Sequence, residues 1–130
     1  MLQILPPLAY LAAAGFILWV AVSRGPARAR WHVGALVALG LGFAAFSALT
    51  LWRDGVMTFW TNHSTNLAGN QVWFDLLIAV AVAFALIAPR ARAVGMPLLP
   101  WSVAVLITAS IALLPMLARL LWLERNGPRR

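Results

Sequence analysis

Residues Asn70 to Pro89 read NQVWFDLLIAVAVAFALIAP, a run apolar enough to span a membrane that nevertheless carries one carboxylate, Asp75. A charge in such a run is expensive, so it calls for a partner and a purpose. Steps of four from Asp75 reach Ala79 and Ala83, small residues that let a second helix approach closely. Leu76, Leu77, Val80 and Phe84 fall on other faces. The pattern predicts that Asp75 looks inward, toward protein.

Composition sets the class around that run. With 63% hydrophobic and 10% charged residues, the 130-residue chain lacks the charge that the surface of a small soluble domain requires. The expected fold is all-α, an integral membrane four-helix bundle in a single domain. Ten arginines and no lysine stand against Asp54, Asp75 and Glu124, a net charge of +7. The arginines lie between and after apolar runs, so the reading is topology control and contact with anionic membrane lipids, with no nucleic-acid binding. No cysteine is present, which removes disulfides and thiolate metal sites. The Ala- and Arg-rich composition fits a GC-rich bacterial genome and hence a bacterial inner membrane.

The spans expected are about 5–22, 33–52, 72–88 and 101–123. The first is uncharged and is followed by Arg24, Arg28 and Arg30; a signal peptide, the competing reading, would have its basic residues before the run. The second carries Gly40, Ala44 and Ala48 at four-residue spacing, a stripe suited to helix packing. Pro89 ends the third, and Arg90 and Arg92 begin the next connection. The fourth has Thr108, Ala112, Pro115 and Arg119 at helical spacing, which predicts an inward stripe with a proline kink.

Basic loops at 23–32 and 89–100 place those connections in the cytoplasm and both termini outside, although the tail with Arg125, Arg129 and Arg130 is basic too. In this arrangement Asp75 and Arg119 lie at matching depth, and the expectation is that they pair across a helix interface. The segment 53–71 would cap them, with room for a short interfacial helix around Met57, Phe59 and Trp60. The candidate polar cluster is therefore Asp75, Arg119, Asn70, His63, Arg53 and Asp54, and the candidate packing residues are Gly40, Ala44, Ala48, Ala79, Ala83 and Pro115. His63 has no second histidine near it in sequence, and His32 falls on the opposite side, so no metal site is expected. Nor does any motif call for a cofactor or name a catalytic set.

The stretch 70–125, with Asn70, Asp75-Leu76-Leu77-Ile78, Arg90-Ala91-Arg92, Gly95-Met96, Ser110 to Pro115 and Glu124-Arg125, resembles the domain of unknown function 2834 family. Members are small multi-pass membrane proteins, mostly bacterial. The resemblance implies a fold and a shared site near Asp75, and no reaction. The function favoured from sequence is an accessory or scaffold subunit that packs in the membrane, within a larger complex or a homo-oligomer. One alternative is a lipid- or isoprenoid-binding protein, or an enzyme using Asp75 as general acid. The other is an oligomeric channel or proton-coupled carrier.

Overall fold

The computed structural model describes residues 4–22 and 30–127. The first basic connection with Arg24 and Arg28, the side chains of Trp19, Trp31 and His32, and Arg129 and Arg130 lie outside the described residues. The described residues form six helices and no strand: α1 (Leu5–Val22), α2 (Arg30–Asp54), α3 (Met57–Ser64), α4 (Leu67–Ala93), α5 (Leu98–Thr108) and α6 (Ser110–Asn126). Among them, Val33–Asp54 and Leu67–Ala93 are long and apolar enough to cross a membrane. The 27 residues of α4 extend about 40 Å.

Local chemistry sets the ends of α4. Asn66 has extended backbone, and its Oδ1 accepts from Gly69 N–H at 2.8 Å, which satisfies one of the amides that open a helix. At the other end Gly95 adopts φ 74° and donates to Arg92 C=O at 3.0 Å, while Met96 N–H donates to Ala91 C=O at 2.9 Å. That paired bonding, with glycine in the left-handed region, is a Schellman stop. Its usual hydrophobic contact is present as well, since Ala91 and Met96 both belong to the buried core. Pro89 therefore does not end the helix. Its missing N–H is tolerated one turn before the stop, on an exposed part of the surface.

The expected fourth span, 101–123, is not one helix. Ala109 takes φ 48°, ψ −118° and separates α5 from α6. A straight helix from Leu98 to Glu124 would place its ends about 39 Å apart. Instead Leu98 follows directly on the Met96–Ala91 turn, and Glu124 forms an ion pair with Arg90 in the last turn of α4 at 2.7 Å. The chain thus runs out along α5 for about 16 Å, reverses at Ala109 and returns along α6 for about 25 Å. This reversal replaces the through-going helix of a four-span bundle, and it brings Arg125 to the Arg90 end.

α6 is the centre of the fold. It packs on α2, α4 and α5, and its Met116 and Leu120 are fully buried. They share one core with Ile87, Ala91, Met96, Val105 and Ala112. On α2 the residues turned to α6 are Val33, Leu36, Gly40, Ala44, Ser47 and Thr50, which recur at steps of three and four. Gly40 is buried and Ala44 half-buried, whereas Ala48 lies on the exposed side. Gly40 meets α6 at its turn of Leu114 and Pro115: a Cβ there would stand 3.5 Å from Leu114 Cβ and 3.8 Å from Pro115 Cδ. α1, by contrast, forms no extensive interface with the other helices among the described residues, and its Leu8, Leu11, Ile17 and Leu18 are exposed.

Candidate functional site

The polar residues singled out in the sequence divide between the two ends of the fold. α3 and the first turns of α4 hold His63, Asn70 and Asp75, next to the α2 end with Arg53 and Asp54. α3 mixes Met57, Phe59 and Trp60 with polar residues whose hydroxyls bond back to the backbone: Thr58 donates to Asp54 C=O, and Thr61 donates to Met57 C=O at 3.2 Å. It packs closely on α4 at Gly69. A Cβ added at Gly69 would stand 2.5 Å from Asn62 O and 3.2 Å from His63 Cα, so only glycine fits that approach. His63 Nδ1 donates to Phe59 C=O at 2.5 Å, and the imidazole leans on Trp73 with ring centroids 5.2 Å apart. Asn70 Nδ2 donates to Asn66 C=O at 3.1 Å. His63 and Asn70 therefore serve the α3–α4 corner. No group of three His, Cys, Asp or Glu able to hold a metal occurs among the described residues.

Asp75 does not look inward. The core-facing side of α4 is Val80, Phe84, Ile87 and Ala91, and Asp75 lies roughly 150° around the helix from its centre. Small residues on the Asp75 side permit close packing there, but bulky residues on the opposite side supply the contact with the core. Asp75 is exposed, with no hydrogen bond or ion pair to Asp54, Arg53, His63 or Arg119 among the described residues. Around it Phe74, Ile78, Ala79, Val82 and Leu86 form one exposed stripe of α4. Ala83 sits half-buried at its border.

Arg119 does not meet Asp75 either, and the reversal at Ala109 gives the reason. Arg119 lies five residues before Glu124, so it belongs to the Arg90 end, while Asp75 is fifteen residues, about 22 Å, before Arg90 on α4. The stripe expected to face inward is mostly exposed: Thr108, Pro115 and Arg119 are open, and only Ala112 is buried. Thr108 donates its hydroxyl to Ala104 C=O at 2.8 Å.

The ion pair that does form was not expected. Arg90 Nε donates to Glu124 Oε1 at 2.9 Å and Nη2 to Oε2 at 2.7 Å, a two-pronged contact matched to the planar carboxylate. Glu124 is nearly buried, with 12% of its side chain exposed, and Arg90 is half open at 49%. No other ion pair occurs among the described residues. The pair ties the last turn of α4 to the end of α6. The basic tail was its sequence signal, because a through-going fourth span would separate Arg125, Arg129 and Arg130 from the other basic segments.

No family model, curated protein or solved structure matches the chain.

Proposed function

We propose that this chain is a small integral membrane protein acting as an accessory subunit, docking on another membrane protein through the outward stripe of α4. Asp75 carries this reading: it is exposed amid Phe74, Ile78, Ala79, Val82 and Leu86, and no counter-charge pairs with it among the described residues. An aspartate facing hydrocarbon costs up to about 3 kcal/mol at the bilayer centre and less toward the ends. A partner helix with a polar or basic group would offset that cost, and Ala79 leaves room for its backbone.

The reversal of α6 supports a topology different from the sequence expectation. α1, α2 and α4 cross, and α5–α6 enters from the Arg90 side and returns to it. Every arginine except Arg53 then belongs to one side, which becomes the cytoplasmic side of a bacterial inner membrane, with the tail inside. The N-terminus and the α3 corner lie outside.

The absence of cysteine makes the test clean. Ala79→Cys and, as a control on the core side, Val80→Cys are introduced singly and cross-linked in native membranes. Expected is a cross-link to a second membrane protein from Cys at position 79 and much less from 80. Equal labelling, or no adduct from 79, refutes the docking reading. Release of the wild-type chain from membranes at alkaline pH refutes the membrane assignment separately.

A further inference from the structure

We propose that the α6 face of Arg119 and Trp122, at the Arg90 end, binds the phosphate of an anionic phospholipid. The inference rests on the membrane reading of α4 and α6, and it does not depend on α4 docking a partner. Arg119 is exposed, as is Trp122, which is 51% open one turn further on, and Asn126 continues the same face. Steps of three and four carry this face from the apolar part of α6 out to its end.

Among the described residues no carboxylate pairs with Arg119. Among the three acids, Glu124 is engaged on both oxygens by Arg90, and neither Asp75 nor Asp54 pairs with Arg119 among the described residues. A lipid phosphate would supply the counter-charge that the described residues do not. Position selects the ligand. Arg119 lies about 7 Å further from the end of α6 than Glu124, and its Cα–Cβ bond tilts toward the α6 N-terminus, away from the nearer membrane surface. A guanidinium held at that depth must bend back to reach water, but a lipid phosphate drawn in against α6 can meet it. Trp122 supplies the amphipathic ring that sits at headgroup level beside such a contact. Arg92 and Arg125 at the same end add positive potential, which favours a net anionic headgroup over a zwitterionic one.

The test uses the full chain purified in mild detergent and titrated with phosphatidylglycerol or phosphatidylcholine, with bound lipid counted by native mass spectrometry. Wild type should retain phosphatidylglycerol preferentially. Arg119→Gln should weaken that retention about fivefold, the equivalent of roughly 1 kcal/mol for one arginine at a membrane surface. Arg119→Lys should keep most of it, and Arg53→Gln, an equal loss of charge at the opposite end, should leave it unchanged. Thermal melts of each variant show whether the fold is retained. Unchanged retention in a folded Arg119→Gln, or an equal loss in Arg53→Gln, overturns the proposal. So does an acidic protein, rather than lipid, released specifically from Arg119→Gln.

Discussion

Replacing Arg90 and Glu124 singly, together and in exchange tests the central feature of the fold, the return of α6 to α4. The two partners are unequally exposed, at 49% for Arg90 and 12% for Glu124, so the single substitutions should be unequal as well. Arg90→Gln leaves a nearly buried carboxylate without its two donors, a loss of about 2–3 kcal/mol. Glu124→Gln leaves an arginine that can turn into solvent or headgroups, and should cost about 1 kcal/mol. Solvent screening at Arg90 keeps the coupling energy of the cycle to about 1–2 kcal/mol, above an exposed pair and below a buried one. Reversible unfolding of the four variants in mixed micelles measures these values, and the exchange Arg90→Glu with Glu124→Arg should recover part of the loss. Cysteines at 90 and 124 should also be joined by a short bifunctional thiol reagent, with no native cysteine to compete. Zero coupling, with no cross-link between 90 and 124 and a strong one between 75 and 119, would refute the reversal and restore a through-going fourth span.

Ala109→Gly should stabilise the protein by about 1 kcal/mol in the same unfolding assay, because φ 48°, ψ −118° strains a side-chain-bearing residue by more than the added glycine entropy costs. Gly40→Ala should be nearly neutral in that assay, its Cβ meeting Leu114 and Pro115 at ordinary contact distances, whereas Gly40→Leu should lose about 2 kcal/mol or more by forcing α2 off α6. Gly69→Ala should loosen α3 from α4, since its Cβ would overlap the Asn62 carbonyl; faster amide exchange in residues 57–64 would show it.

The helical class, a short helix after α2 and the packing value of Gly40 are legible in the sequence because each rests on local pattern. The hydrophobic run 101–123 is equally legible as apolar, yet its reversal is not, for a physical reason. The break falls at Ala109, a residue with no preference for the left-handed region, and the one proline of the segment, Pro115, lies inside α6. Packing of Met116 and Leu120 into the core, together with the Glu124 contact, overrides local propensity there. The facing of Asp75 is a related case. Small residues at 79 and 83 permit close packing on that side, but they do not compel it, and Val80, Phe84 and Ile87 give α6 more surface to contact. Once Asp75 turns outward and α6 turns back, the expected Asp75–Arg119 pair is lost for both reasons at once.

The central place of α6 also orders events during synthesis. α2 and α4 make no extensive contact with each other among the described residues, and both rest on a helix that the ribosome makes after them. On the membrane reading proposed above, helices inserted earlier would wait in the bilayer as separate units until residues 110–126 emerge, and the bundle would close after translation has passed them. A chain stopped before Ser110 would contain both long apolar helices, Val33–Asp54 and Leu67–Ala93, and lack the helix on which both pack. Such a fragment would leave Arg90 without Glu124 and Gly40 without the α6 turn it packs on.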